Sequence, residues 1–198
     1  MNVLLGFGKN QPEIIVIINL DNRSILYQYF KQDGVGAEIG VCKGANASTL
    51  LRITRPKKLH LVDVWVRDPL TEIHHSEDLH YNDWESDIRN LFNNEIKDNI
   101  VILHKIAGIE FLNSIDDNYL DWVYLDSDHS YENISQELSL SILKVKKGGI
   151  IAGHDFMVHE EAWKSGVVRA VIEEIQRGTI QMCFITDEKY PSYLCYVK

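Results

Sequence analysis

The sequence has few cysteines, the residues whose disulfide bonds stabilise small secreted domains. It has three cysteines, Cys42, Cys183 and Cys195, which is an odd number with no CxxC spacing. This pattern argues against a structural zinc site, and unpaired thiols are typical of a reducing compartment. A chain of 198 residues can bury a sufficient core without disulfides. We therefore expect a cytoplasmic protein.

Long apolar segments and an excess of basic residues are also missing. The apolar run at 14–18 is much shorter than the ~20 residues of a membrane span, and the N-terminus has no secretory signal pattern. Lys and Arg number 20 against 29 Asp and Glu, a net charge of −9. Because such a chain would repel a phosphate backbone, we expect neither a nucleic-acid nor a membrane partner. A small-molecule partner and a homo-oligomer both fit the composition.

The sequence has only four prolines and no linker-like segment, and its apolar segments alternate with helical patterns. Residues 14–20 fit either a strand or a buried helical turn. The predicted strands are 35–41, 58–64, 100–106, 120–126 and 149–153, and the predicted helices include 24–32, 47–54, 84–92 and 167–177. This alternation predicts a single Rossmann-like, doubly wound α/β sheet that is mostly parallel. Segments 180–186 and 192–197 predict an antiparallel C-terminal edge.

Acidic residues end four of the five predicted parallel strands. They are Glu38, Asp63, Asp126 with Asp128, and Asp155. In such sheets a ligand binds beyond the carboxyl ends of the strands, near the point where the strand order reverses. Each acid alone is equally well explained as a solvated loop carboxylate or a helix N-cap, as with Asp128. The whole set at one edge indicates a functional site.

The turn after the first of these strands contains Gly40 and Gly44. Both follow the strand and precede a helix, where glycine lets the backbone turn sharply and approach a ligand closely. The three-glycine fingerprint of dinucleotide sites is missing. Glu38 at the strand end would repel a phosphate and suits a cationic or amine-bearing ligand. Asp63, at the end of the next strand, can accept hydrogen bonds from a ribose diol.

A cluster of aspartate and histidine is expected where the fourth and fifth strands end. Asp126 and His129 follow one strand, and His154 and Asp155 follow the other. Carboxylate oxygens suit hard divalent cations, whereas histidine is a softer ligand or a base that titrates near neutral pH. Two interpretations stay open: a divalent ion held by the carboxylates, or a histidine base polarised by an aspartate.

Four segments resemble class I S-adenosylmethionine-dependent methyltransferases, and more narrowly the small-molecule group that includes macrocin-type sugar O-methyltransferases. They are residues 38–44 (EIGVCKG), 59–65 (LHLVDVW), 121–132 (DWVYLDSDHSYE) and 147–156 (KGGIIAGHDF). We expect one domain over 1–198, with a lead-in at 1–33 and a cofactor-binding core at 34–156. The stretches 65–84 and 156–166 are candidate substrate loops, the first being long for a connection of this kind.

The resemblance implies S-adenosylmethionine as the cofactor. The residues expected to bind it are Glu38, Gly40, Gly44, Asp63, Trp65, Ile106 and Ala107. Glu38 would face the amino-acid end, and Asp63 the ribose hydroxyls. Trp65 would flank the adenine, which backbone groups near Ile106 and Ala107 would hold.

The resemblance also implies a metal. In related metal-dependent O-methyltransferases, acidic residues at the positions of Asp126 and of the pair His154-Asp155 bind a divalent ion. We therefore expect Asp126, His154 and Asp155 as metal ligands, with magnesium as the candidate ion, although His154 stands where an acid would be typical. Asp126, His129 and His154 are the candidate catalytic residues, with either histidine as the base.

The implied reaction is methylation of a hydroxyl on a small molecule of the sugar or phenolic natural-product type. Two alternatives stay open. One is a metal-dependent hydrolase or hydroxylase that uses the Asp/His cluster on the same fold, since a fold does not settle a function. The other is a non-catalytic cofactor-binding domain.

Overall fold

A computed structural model describes residues 2–7, 12–65, 84–157 and 166–198. Its strands are β1 (Asn2–Phe7), β2 (Pro12–Leu20), β3 (Val35–Ile39), β4 (Lys58–Val62), β5 (Val101–His104), β6 (Leu120–Leu125), β7 (Val145–Gly153), β8 (Ile180–Thr186) and β9 (Tyr193–Val197). Its helices are α1 (Arg23–Leu26), α2 (Ala45–Thr54), α3 (Trp84–Leu91), α4 (Asn93–Lys97), α5 (Gly108–Ser114), α6 (Tyr131–Lys144) and α7 (Val167–Arg177), with a 3-10 turn at Tyr27–Tyr29 after α1.

Within these ranges, nine strands form one sheet in the order β1-β2-β8-β9-β7-β6-β3-β4-β5. The strands β7, β6, β3, β4 and β5 run parallel to one another, and β9 runs antiparallel to both of its neighbours. This confirms the predicted mostly parallel sheet with an antiparallel C-terminal pair. The ambiguous run at 14–20 is part of β2, which pairs parallel with β8 and extends the sheet beyond that pair. The strand order reverses between β3 and β6.

The core lies on both faces of the sheet, and β6 shows why. All six of its residues are buried. Val123 and Leu125 belong to the apolar cluster that α5, α6 and α7 cover. Trp122 and Tyr124 point the other way, into the cluster under α1, α2 and α3. Successive side chains of a strand point to opposite faces, so a strand covered on both faces is apolar along most of its length, and in β6 the exception is Asp121. No helix in the described ranges is long and apolar enough to cross a membrane.

The amino end of the sheet is held by one buried carboxylate. Asp121 accepts hydrogen bonds from Lys31 Nζ, Lys146 Nζ and the backbone amide of Val35, each at 2.8 Å. Burial raises the pKa of Asp121, but these donors outweigh it and the net pKa is lowered. The carboxylate therefore ties the start of β6 to β3 and β7, and its charge is balanced by the two lysines.

A second buried polar group is His60 on β4. Its surroundings indicate that the folded state loses stability in acid. Its Nδ1 lies 2.9 Å from His104 Nε2, and its Nε2 lies 3.0 Å from the Tyr119 hydroxyl. Burial, followed by repulsion from His104, lowers its pKa from 6.5 to about 4. Between these two pKa values, His60 binds a proton in the unfolded chain but not in the folded one.

We expect the free energy of unfolding to fall as the pH drops from 6.5 towards 4, by up to roughly 3 kcal/mol from His60 alone. His60→Gln keeps hydrogen-bonding capacity without titrating, so its stability should fall less over this range. Urea denaturation across the range measures both slopes. Identical pH slopes for the wild type and His60→Gln would contradict this assignment.

Candidate active site

The carboxyl ends of β3 and β6 meet in direct contact. Gly40 has a φ of +89°, and a Cβ at this position would lie 2.1 Å from the carbonyl oxygen of Asp126. The amide of Asp126 donates to Ile39 O at 2.7 Å, and the amide of Gly40 donates to Val62 O at 2.9 Å. Only glycine fits such a position, for its positive φ and for the lack of space. This contact brings the turn after β3 against the end of β6.

Glu38 is the least compensated acid at this edge of the sheet. Its side chain is fully buried. Oε1 accepts a hydrogen bond from Asn46 Nδ2 at 3.0 Å, whereas Oε2 has no hydrogen-bond partner among the described residues. Burial, followed by repulsion from Asp126 and Asp63, raises the pKa of Glu38 well above its usual value. An unsatisfied buried carboxylate oxygen is costly, so this atom suits a cationic donor supplied by a ligand.

Asp63 ties the turn after β3 to the end of β4. Its Oδ2 accepts hydrogen bonds from the backbone amides of Val41 and Cys42, each at 2.9 Å, and its Oδ1 accepts from the amide of Trp65 at 2.8 Å. A carboxylate has about four acceptor sites, so these three bonds leave about one for a ligand hydroxyl. Asp63 therefore shapes the turn and can still contact a ligand.

Two of the predicted cofactor residues have packing roles in the structure. Trp65 is fully buried in the apolar cluster under α3, and its Nε1 donates to Cys42 O at 3.1 Å. Gly44 precedes α2 with a φ of +79°, and a Cβ there would lie 2.4 Å from Ile88 Cδ1 on α3. Ile106 and Ala107 are partly exposed between β5 and α5. The cofactor contacts of all four stay predictions.

The predicted Asp/His cluster forms where β6 and β7 end side by side. His129 Nε2 lies 3.2 Å from Asp155 Oδ2 and 3.5 Å from Asp126 Oδ1. His154 Nδ1 lies 3.3 Å from Asp155 Oδ2 and 3.4 Å from Asp126 Oδ1. Asp128 lies outside this cluster and accepts from the amide of Ser130, the residue that caps α6. Both carboxylates are therefore shared by two imidazoles.

The charges in the cluster stabilise one another. Burial raises the pKa of Asp126, but hydrogen bonding and attraction from His129 and His154 outweigh it and lower the net value. Burial opposes protonation of both histidines, yet the two aspartates raise their pKa values. Ligand atoms of Asp126, His154 and Asp155 all lie within 4.8 Å of one another, so these three residues can also converge on one metal ion.

Sequence reasoning missed Arg23, which approaches the cluster from the start of α1. Its Nη2 lies 2.5 Å from His154 Nε2, and Glu188 accepts from its backbone amide at 3.0 Å. Because a guanidinium only donates, this contact requires a lone pair on Nε2 and places the proton of neutral His154 on Nδ1, facing the carboxylates. Arg23 accordingly lowers the pKa of His154 against the effect of the aspartates. No local sequence signal marks this contact, since Arg23 lies 131 residues from His154.

The two candidate substrate loops lie largely outside the described residues. Residues 66–83 and 158–165 are not described, so the role predicted for them stays a prediction. Tyr190, in the turn between β8 and β9, has its ring centroid 6.3 Å from that of His154.

Comparison with known families identifies the domain. A methyltransferase-domain family matches residues 37–156, which include the turn after β3, Asp63 and the Asp/His cluster. The chain belongs to this methyltransferase family. The match covers more than half of the chain and begins after the lead-in that carries Arg23. A comparison with the curated proteins found no match.

Solved structures of methyltransferases share the fold. A protein assigned as an rRNA methylase from Clostridium thermocellum is 14% identical, with a TM-score of 0.62 over 91% of this chain and 100% of its own. A protein assigned as a methyltransferase from Streptococcus mutans, in complex with S-adenosylhomocysteine, is 8% identical, with a TM-score of 0.60 over 87% and 93%. The N-methyltransferase NodS from Bradyrhizobium japonicum WM9 is 11% identical, with a TM-score of 0.58 over 88% and 92%.

These likenesses show the fold alone. The neighbours include an assigned rRNA methylase as well as an N-methyltransferase, so the fold does not distinguish a nucleic-acid acceptor from other acceptors. The preference for a small-molecule acceptor therefore stays a prediction from composition and resemblance.

Since Oε2 of Glu38 has no partner in the part of the chain that the structure describes, we expect this residue to lower the stability of the protein in the absence of a ligand. The pKa of Glu38 is higher in the folded than in the unfolded chain, so folding stability is lost as the pH rises above the ordinary glutamate pKa. Glu38→Gln keeps the shape and removes the charge. We expect its free energy of unfolding at neutral pH to exceed that of the wild type by about 1–3 kcal/mol.

Chemical denaturation without ligand measures this difference, with Glu132→Gln on the surface of α6 as the control that should change little. If the Glu38→Gln protein were less stable than the wild type, the carboxylate would have a stabilising partner within the protein, and this prediction would be wrong.

Proposed function

We propose that the protein is an S-adenosylmethionine-dependent methyltransferase that methylates a hydroxyl of a small molecule. The proposal rests on Oε2 of Glu38, a buried atom that has no hydrogen-bond partner among the described residues. The amino-acid end of S-adenosylmethionine bears an ammonium group, which is a cationic donor that this atom can accept. A nicotinamide dinucleotide offers no cation there and would bring phosphates towards the carboxylate.

The remaining cofactor contacts follow from the turn after β3. The acceptor site left on Asp63 suits a ribose hydroxyl, and the backbone of the turn at Gly40 would contact the cofactor, as the resemblance implies. When bound, S-adenosylmethionine supplies a methyl group on a positively charged sulfur that is a good leaving group. The protein is left with two tasks, which are to align the acceptor oxygen in line and to remove its proton.

The Asp/His cluster suits the second task because it borders the same edge of the sheet. His129 and His154 both contact Asp126 and Asp155, and an imidazole held by a carboxylate is a stronger base than a free one. The lone pair of neutral His154 already accepts from Arg23, so the acceptor proton would pass to His129 as the oxygen attacks the methyl group and the carbon–sulfur bond breaks.

A divalent ion is the second way to activate the acceptor. Asp126, His154 and Asp155 would hold it through two oxygens and one nitrogen, and a bound ion would lower the pKa of the hydroxyl as a Lewis acid. Magnesium prefers oxygen ligands, whereas manganese, iron and zinc accept such a mixed set. If Nδ1 of His154 held the ion, the proton of the imidazole would have to lie on Nε2, and Arg23 would then have to move away from that atom.

The cofactor is tested by calorimetry with S-adenosylhomocysteine and with NAD. We expect S-adenosylhomocysteine to bind and NAD to bind at least about a hundredfold more weakly, because Glu38 repels a pyrophosphate. Tighter binding of NAD would overturn the assignment. A protein that binds a divalent metal but does not bind S-adenosylhomocysteine would favour the metal-dependent hydrolase or hydroxylase instead.

The metal is tested by titrating the chelator-treated protein with Mn²⁺. We expect Asp126→Asn to weaken Mn²⁺ binding by tenfold or more, at about 1.4 kcal/mol per factor of ten, and to keep its affinity for S-adenosylhomocysteine. Asp128→Asn removes a nearby carboxylate outside the cluster and should bind Mn²⁺ as the wild type does. Equal Mn²⁺ affinities for all three proteins would leave a histidine as the sole base.

A further inference from the structure

A chain of buried hydrogen bonds connects the lead-in with Glu38. The Tyr27 hydroxyl donates to Asn46 Oδ1 at 2.6 Å, and Asn46 Nδ2 donates to Glu38 Oε1 at 3.0 Å. Tyr27 lies in the 3-10 turn after α1, outside the residues 37–156 that match the family. Asn46 lies in the first turn of α2. The chain ends at the carboxylate whose second oxygen has no partner among the described residues.

Tyr27 and Glu38 together hold the Asn46 amide in one orientation. An asparagine side chain has an accepting oxygen and a donating nitrogen, and rotation by half a turn exchanges them. With the oxygen held by the Tyr27 hydroxyl, the nitrogen must face the carboxylate. In the rotated state, the Asn46 oxygen would face Oε1, and both oxygens of Glu38 would lack donors.

Packing keeps Tyr27 in place as a donor. Its side chain is fully buried, and its ring makes edge contacts with Phe30 at 5.3 Å and with Tyr124 at 5.5 Å between centroids. Burial, followed by repulsion from Tyr124 and Glu38, raises the pKa of Tyr27. The hydroxyl therefore keeps its proton at neutral pH and can donate it to Asn46.

We propose that Tyr27 is a positioning residue that sets the affinity of Glu38 for the amino group of the cofactor. It acts through Asn46, which occupies Oε1 and leaves Oε2 as the acceptor for the ligand. The inference rests on the proposed function, since it presumes a ligand with an ammonium group at this position. It assigns the lead-in a part in recognising one end of the ligand.

The test compares two ligands on wild type and Tyr27→Phe. S-adenosylhomocysteine carries the amino-acid end, and 5′-methylthioadenosine shares the nucleoside and thioether but lacks that end. We expect Tyr27→Phe to bind S-adenosylhomocysteine roughly three- to tenfold more weakly, as expected for the loss of one hydrogen bond, and to bind 5′-methylthioadenosine as the wild type does. A general loosening of the fold would weaken both ligands equally.

Tyr119→Phe is the matched control, because it removes a tyrosine hydroxyl that pairs with His60 Nε2 at 3.0 Å and contacts neither Tyr27 nor Asn46. It should leave the ratio of the two affinities unchanged. Asn46→Ala removes the middle of the chain and should show the same selective loss, which keeps the test valid if Tyr27→Phe folds poorly.

Equal losses for both ligands, or an unchanged affinity of Tyr27→Phe for S-adenosylhomocysteine, would overturn the role of Tyr27 while leaving the proposed function intact. A wild type that binds 5′-methylthioadenosine but gains nothing from the amino-acid end would overturn the role of Tyr27 together with that of Glu38. A wild type that binds neither ligand would overturn the proposed function itself, and with it this inference.

Discussion

Negative charge buried at one edge of the sheet is the constraint on which the site depends. Parallel strands end together, so the acids that follow them are forced into proximity. Asp63 is compensated by three backbone amides, and Asp126 and Asp155 by two imidazoles. At the opposite end of the sheet, Asp121 is compensated by two lysines. Among the described residues Glu38 has one amide donor for two oxygens, and a ligand is the natural source of the second.

These carboxylates differ in how fully their charges are balanced by the protein, and this difference separates those that stabilise the fold from those that can bind a ligand. A fully satisfied carboxylate such as Asp121 strengthens the fold and offers nothing to a ligand. Glu38 does the reverse, because burial makes its charge costly until a cation neutralises it. The free energy that the buried charge of Glu38 costs in folding is recovered when a cationic group binds to it. The Asp/His cluster is intermediate, since its charges are balanced internally but can be redistributed to a proton or a metal ion.

The sheet and much of its active edge could be predicted because both follow from local patterns. Alternating apolar segments specify the parallel strands, and neighbouring strand ends bring Asp126 next to His154 and Asp155. The contributions of Arg23 and Tyr27 could not be predicted, since they depend on how the lead-in packs, and β2 pairs with β8 more than 160 residues away. Gly44 shows a further limit, because a glycine in a turn signals close approach without saying that the neighbour is Ile88.

A crystal structure with S-adenosylhomocysteine bound is the most direct test of the central claim that Glu38 is the receptor for a cationic group. The account predicts that the amino nitrogen of the ligand lies within hydrogen-bonding distance of Oε2, with Asn46 still donating to Oε1. A ligand whose amino group points away from Glu38, or a Glu38 Oε2 that pairs instead with a residue of the protein, would contradict it.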